Sequence, residues 1–530
     1  MRVIAIILIF LSLTGYSQNK IKNVIYMIPD GTSSDLITAT RWYKGEKLAL
    51  DEIICGMVST HTADGKITDS APAGTALATG VKSNLGFIGV DKDSLPHISL
   101  LEMAKLKGLS TGIAVTCEFP HATPASFVCH YPDRNNYEIL ANQFIYNSPD
   151  LFFGGGEAIL DKYNLKKFLK DSLGYNFISD LNTFKTNISD KVWALFPDWK
   201  ANKVAMSFDC DRNKTLEPSL AEMTSKAIDI LSKNKKGFFL MVEGSQIDWA
   251  AHNNDPYAAI NELIAFDAAV KIALDFAKKD KHTIVVVCPD HGNGGFTLGN
   301  QNSGKYSNKN KYDKIDINEQ IVKPLKKIKC SSDKLAALLI KYPDSINTDF
   351  ILKKYNISFT ENEIQNIKNI INSGKTSYFK QDTINYIIGT EFSRQNFIGW
   401  TTTGHTGEDV FLGVYHPQSY LPSALYGRGI IDNTEVTRYI SKNMGVEPDS
   451  FTKKYFKKLP VKTSFNNYKP FKTIDNQTRF FNNKNNIDII IPANKNYYFF
   501  NGKKIFLKTL IVKIKDKYYI PFELYNALNK

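Results

Sequence analysis

The chain has 530 residues, of which 43% are hydrophobic and 22% charged, with a formal net charge of +13. That length buries a large core and suits two to four domains, and the composition is ordinary for a soluble globular protein. The positive charge is spread out, with lysines concentrated in the last third among Asn and Tyr; without an aromatic-interleaved basic motif it argues for solubility and attraction to anionic surfaces and against nucleic-acid reading.

Residues 1–17, MRVIAIILIFLSLTGYS, carry one Arg, an apolar run from Val3 to Leu13, and Gly15-Tyr16-Ser17. This reads as a secretory signal peptide, too short for a membrane span. No Cys follows the run, which argues against a lipoprotein anchor, and no other stretch is apolar enough to span a bilayer. The mature chain is expected to begin near Gln18 and to work in the periplasm or outside the cell. Export permits disulfides among Cys55, Cys117, Cys129, Cys210, Cys288 and Cys330, whose connectivity is not legible. None forms a CxxC pair, which argues against a thiolate zinc site, and Cys288, inside a very apolar run, is expected to be a buried free thiol.

In chain order, apolar runs end repeatedly in polar residues. Asn23–Ile28 ends at Pro29-Asp30-Gly31, Thr111–Val115 at Thr116-Cys117-Glu118, Gly237–Val242 at Glu243-Gly244, and Thr283–Cys288 at Pro289-Asp290-His291. Continuous apolar strands belong to a sheet buried on both faces, and helical patterns over 97–107, 218–233 and 256–279 lie between them. The expected fold is α/β: a doubly wound, mostly parallel central sheet flanked by helices, with ligands gathered at the carboxyl ends of the strands. Residues 292–400 read as an insertion, with a loop over 299–313 and helix over 332–373. The main domain, 18–446, closes with a helix over 434–443. A charged linker is read over 447–472, and a small β-rich accessory domain over 473–530, with a hairpin signal at Asn501-Gly502.

Four segments carry chemistry. In Thr68-Asp69-Ser70-Ala71-Pro72-Ala73-Gly74-Thr75-Ala76, small residues open a helix whose backbone N–H groups face an arriving anion. Alone it reads more readily as a plain N-cap. In Glu243-Gly-Ser-Gln-Ile-Asp248-Trp249-Ala-Ala-His252, Asp248 and His252 stand at i and i+4 on one helix face, a pairing that suits zinc but is also routine on surface helices. Asp290-His291 follows a buried strand, and His405 lies in Thr403-Gly404-His405-Thr406-Gly407-Glu408. The chain has nine histidines, and three fall in these segments.

Together and in order, from about Lys22 to Gly445, these segments resemble the alkaline phosphatase family. The resemblance implies Ser70 as nucleophile. It implies Asp30, Asp290 and His291 as ligands of the zinc nearest that serine, and Asp248, His252 and His405 as ligands of a second zinc. Asp30, Thr123 and Glu243 match a magnesium site, with Asp30 bridging; Thr123 falls in His121-Ala122-Thr123-Pro124-Ala125. Arg134 matches the phosphate-binding arginine, and Asp69 the residue that orients it. His121 and Trp249 stand where some members have Asp and Lys; the pair resembles marine and cold-adapted bacterial members and puts magnesium occupancy in question. They touch phosphate and the third metal's water shell indirectly. The implied cofactors are therefore two Zn2+ and one Mg2+, the substrates phosphate monoesters, and the assembly a homodimer.

The implied reaction is an in-line displacement clamped by two metals, through a phosphoserine at Ser70, with the fork of Arg134 on two phosphate oxygens. Two relatives of this chemistry are rivals. A sulfatase needs Cys/Ser-x-Pro-x-Arg, and here Gly74 stands at the last position. A phosphodiesterase fits less well because a diester has one charge to offer Arg134. A metal-stapled binding protein without catalysis is the reading from another class, and turnover sensitive to a chelator discriminates it.

Overall fold

The computed structural model describes residues 20–196, 204–300, 316–418, 429–459, 469–472, 477–482 and 486–528. The signal-peptide stretch 1–17 and most of the 299–313 loop lie outside the described residues.

The first eight strands are β1 (Asn23–Pro29), β2 (Ile54–Ser59), β3 (Ser110–Glu118), β4 (Leu151–Gly155), β5 (Asn176–Ile178), β6 (Val192–Leu195), β7 (Phe238–Gly244) and β8 (Thr283–Val287). Four two-residue strands follow: β9 (Gly292–Asn293), β10 (Thr297–Leu298), β11 (Ile398–Gly399) and β12 (His405–Thr406). Then come β13 (Val410–Tyr415) and β14 (Ile430–Asp432). Ten of these form one sheet in the order β14-β2-β13-β8-β1-β7-β3-β4-β6-β5. Its pairs are parallel except those of β13, which runs antiparallel to both β2 and β8.

Why the sheet is double-faced shows in β1. Ile25 and Met27 pack into one core with the helix Pro256–Asp280, while Val24, Tyr26 and Ile28 pack into the other with the helices Ser70–Thr79 and Leu100–Leu106. Alternation of side chains with both faces apolar requires this two-sided cover. The flanking helices start where their caps dictate. Ser99 with Glu102 and Ser219 with Glu222 form capping boxes, and Asp255 accepts from the N–H groups of Tyr257 and Ala258 ahead of Pro256.

Trp193 in β6 shows how tightly this core is filled. It is fully buried, lies 4.9 Å ring to ring from Phe152 and 5.2 Å from Phe119, and donates Nε1–H to Ser148 Oγ at 2.8 Å. Trp193→Ala should lower stability by about 3–5 kcal/mol in urea unfolding; a loss below about 1 kcal/mol would mean the site collapses around the cavity.

The insertion leaves and re-enters the main domain beside the strand ends. β10 pairs with β11, and β9 with β12, in register His405↔Asn293. Its helices include Ser332–Lys341, Thr348–Tyr355, Glu361–Asn372 and Ser377–Gln395, the first two of them tied to Asp255, whose carboxylate accepts from Ser332 N and Oγ and from the Tyr355 hydroxyl.

The remaining strands, β15 (Lys457–Leu459), β16 (Lys469–Lys472), β17 (Gln477–Asn482), β18 (Ile487–Pro492), β19 (Lys495–Phe500), β20 (Lys503–Ile514) and β21 (Lys517–Ile520), form a separate antiparallel sheet in the order β15-β21-β20-β19-β18-β17-β16. Asn501 and Gly502, at φ 46° and 76°, join β19 to β20 as the two left-handed residues of a tight hairpin. Within 447–472 the structure has a helix, Pro448–Tyr455, and the strands β15 and β16; residues 460–468 lie outside the described residues. Lys453 and Lys454 of that helix are exposed, while Tyr455 and Phe456 turn into the main core. Leu510, Val512 and Ile514 of β20 enter that core too, with Ile511 pointing into the small sheet's own core. All six cysteines are free, and Cys288 is buried. Among the described residues no helix is long and apolar enough to cross a membrane.

Candidate metal centre and active site

The parallel registers bring the acidic residues together. Met27 lies opposite Val287 and Ile28 opposite Glu243, so Asp30 emerges between Glu243 on β7 and Asp290-His291 after β8. The helix Gln246–His252 follows β7 at once and sets Asp248 and His252 over the same edge. Gly31 makes this approach possible. It has φ +65°, and a Cβ there would stand 2.7 Å from Asp248 Oδ1. His405 arrives by way of the β12–β9 ladder, and its ring stacks on His291 at 3.7 Å.

Three groups of ligand-bearing side chains result, each with its donor atoms within 4.8 Å of one another: Asp30, Asp290 and His291; Asp248, His252 and His405; and Cys117, His121 and Glu243. The first two are the sets expected for the paired zincs. The three histidines of those sets are oriented alike. His291, His252 and His405 each face a backbone carbonyl with Nδ1, those of Gly292, Thr403 and Thr68, at 3.2, 2.5 and 2.8 Å. Donation from Nδ1–H leaves the Nε2 lone pair for the cluster, the usual support of a metal-ligating imidazole. The two Nε2 atoms of His252 and His405 stand 3.2 Å apart.

Charge and burial show what the centre lacks. Both carboxylate oxygens of Asp30, Oδ2 of Asp290, Oε1 of Glu243, Oγ1 of Thr123 and Nδ1 of His121 are buried without a hydrogen-bond partner. Burial and neighbouring carboxylates push Asp30 well above the usual range, Asp290 to about 6 and Glu243 to about 8. Burial pushes His291 and His405 down to about 4. Burial opposes charge on His252 as well, but the Asp248 carboxylate beside it wins and raises it to about 9. Orphaned buried carboxylates are costly unless a cation compensates them, and carboxylate with imidazole is the donor set zinc accepts. The paired clusters therefore fit zinc. At the third position Asp30, Thr123 and Glu243 offer the oxygens magnesium takes, whereas the thiol and imidazole in the same space are not magnesium ligands.

Ser70 opens the fully buried helix Ser70–Thr79, and its Oγ lies 3.2 Å from His291 Nε2. The helix cap is Asp69, whose Oδ1 accepts from Ala71 N at 2.6 Å, leaving the serine hydroxyl free of that duty. Asp69 also accepts from Arg134 Nη1 at 3.1 Å and, through Oδ2, from Gly86 N at 2.8 Å, while Gly86 O accepts from Arg134 N at 2.8 Å. Nη1 of the guanidinium is thus held by Asp69, while Nη2 lies 3.5 Å from His121 Nε2. His121 is held neutral, pushed to about 3 by burial and by Arg134, and meets the Trp249 ring edge-on at 5.7 Å. Arg134→Lys should raise both KM for a monoester and the inhibition constant of phosphate by roughly 10- to 100-fold, because a bidentate charged contact becomes a point contact; unchanged constants would remove Arg134 from the phosphate site.

Two residues of the site were not read from the sequence. Asn293 donates Nδ2–H to Asp248 Oδ1 at 2.6 Å and fixes that carboxylate; its signal was its place two residues after His291. Cys117 was set aside because it has no CxxC partner, yet it gathers with His121, four residues on, and with Glu243 of β7.

The family model for alkaline phosphatase matches residues 21–446. Among curated proteins, alkaline phosphatase 3 of Bacillus subtilis is 36% identical over 448 residues, covering 80% of this chain and 89% of its own. Among solved structures, the cold-active alkaline phosphatase of Shewanella sp. is 30% identical with a TM-score of 0.67, covering 79% of this chain and 99% of its own. A histidine-to-aspartate variant of TAB5 alkaline phosphatase, solved with Mg bound in the M3 site, is 25% identical with a TM-score of 0.56, covering 81% of this chain and 99% of its own. Such a sheet, with metal-ligand clusters and a helix-opening serine at its carboxyl edge, defines a metal-dependent phosphomonoesterase. The chain belongs to the alkaline phosphatase family.

Proposed function

We propose that this phosphomonoesterase acts through a phosphoserine at Ser70, with zinc at each of the two paired clusters, after export directed by residues 1–17 and as a homodimer. The observation that carries the reading is the position of Ser70 Oγ, 3.2 Å from His291 Nε2 in a cluster with orphaned carboxylates, at a helix start whose cap, Asp69, holds Arg134. Export and dimerisation rest on the leader sequence and the family resemblance.

When bound, the two ions would supply the positive charge that makes a serine hydroxyl nucleophilic near neutral pH and stabilises the departing ester oxygen. The chain's own part follows from its geometry. Arg134 holds two phosphate oxygens and Asp69 keeps the guanidinium aimed. The buried helix Ser70–Thr79 presents Oγ to the phosphorus, its next N–H groups being held by Asp69. The Oγ–P bond forms as the ester P–O bond breaks. Water then takes the phosphoryl group from Ser70, regenerating the hydroxyl and releasing phosphate.

The test compares p-nitrophenyl phosphate, bis(p-nitrophenyl) phosphate and p-nitrophenyl sulfate across pH. Alkaline turnover of the monoester well above the other two is expected. Preference for the diester would move the assignment to a phosphodiesterase.

A further inference from the structure

Cys117 ends the apolar part of β3, fully buried. The pairing of β3 with β7 runs to Val115↔Glu243, which brings the end of β3 alongside Glu243. The Cys117 thiol donates to Glu243 Oε2 at 3.6 Å, and its backbone N–H to Ser245 Oγ at 3.3 Å. With His121, these side chains put a sulfur, a nitrogen and an oxygen donor within 4.8 Å of one another. The other oxygen of Glu243 and Nδ1 of His121 are buried and unpartnered. Pairing of the thiol with the carboxylate therefore leaves most of the donor capacity in this space unused.

We propose that Cys117 is a thiolate ligand of the third metal position, which in this chain takes zinc in place of magnesium. The inference rests on reading the neighbouring clusters as a metal centre. Magnesium binds oxygen in near-octahedral geometry and keeps several waters, and it gains nothing from sulfur or imidazole nitrogen. Zinc accepts Cys, His and carboxylate together in a four-coordinate site, with its fourth position open to Thr123 or water. The charge balances within this set: one thiolate, one carboxylate and a neutral imidazole against a divalent ion, with Asp30 counted in the cluster of Asp290 and His291. On binding, the S–H bond breaks, a sulfur–metal bond forms, and one proton passes to solvent.

Full-length protein is stripped of metal, reloaded with zinc and magnesium together, freed of excess ions and analysed for both elements. Wild type is expected to hold about three zinc ions per chain and almost no magnesium, and Cys117→Ala about two zinc and one magnesium. Reloading with cobalt gives a second readout that does not depend on a variant folding. Wild type should show an intense thiolate-to-cobalt charge-transfer band, because among the described residues Cys117 is the one cysteine within a ligand group. The band should vanish in Cys117→Ser. Two zinc ions with one magnesium in wild type and no such band would overturn the inference while leaving the paired zinc sites standing. A protein that holds no zinc would overturn both.

Discussion

Replacing Ser70 with alanine is expected to lower kcat on a phosphate monoester on the order of 10^4-fold or more while leaving stability unchanged within about 0.5 kcal/mol. The two halves of this result have separate causes. The helix start is capped by Asp69 through Ala71 N, so the serine hydroxyl carries no capping bond, and its hydrogen-bond partner is His291 Nε2. Alanine is also the better helix former at the first helical position. What disappears is the hydroxyl oxygen that stands 3.2 Å from His291 Nε2, next in the chain to the Asp69 that holds Arg134. Steady-state kinetics beside urea unfolding separate the effects. Retained turnover in a folded Ser70→Ala protein would remove the serine from the reaction, and lost turnover with lost folding would mean that Ser70 supports the helix after all.

Chelation should have the second large effect, abolishing turnover and making stability fall as pH rises. The sign follows from the groups left behind. Glu243 is raised to about 8 by burial and by Asp290, and His252 is raised to about 9 against its burial by Asp248. A folded pKa above the unfolded value contributes stability that is complete below the unfolded pKa and is lost as pH rises through the folded one. His121, His291 and His405 are pushed down, to about 3, 4 and 4, so their contribution runs the other way but is complete above their ordinary pKa of about 6.5. Between pH about 6.5 and 9 only the raised groups act, and Glu243 alone should remove roughly 2 kcal/mol from the chelated protein. With zinc restored the carboxylates are compensated and the slope should flatten. Thermal unfolding at several pH values, with and without a chelator, measures it. A chelated protein that gains stability from pH 7 to 9 would show that the carboxylates are compensated without a metal.

What the sequence made legible, it did through burial. The four apolar runs ending at Asp30, Glu118, Glu243 and Asp290 became adjacent parallel strands, because continuous apolar pattern has one stable home in a sheet covered on both faces. The same placement gathered Asp30, Glu243, Asp290 and His291, and helix spacing paired Asp248 with His252. His405 was legible by resemblance alone; the two-residue ladder that carries it across the insertion is too short to leave a pattern. β13 escaped notice as an antiparallel member because direction is set by where the insertion returns, which periodicity does not encode. The stretch around 447–472 looked like a linker because surface lysines outnumber the inward Tyr455 and Phe456. Cys117 was missed because His121, four residues on, makes no recognisable zinc spacing with it, and Glu243 on β7 meets it only through strand pairing.

The most direct test of the proposed chemistry is a rapid acid quench during monoester turnover, followed by mass spectrometry of the peptide containing Ser70. Phosphate covalently on Ser70, absent from the same peptide of Ser70→Ala, is the expected result. Full turnover with no phosphate on Ser70 at any quench time or pH would contradict a phosphoserine route and leave direct attack by water in its place.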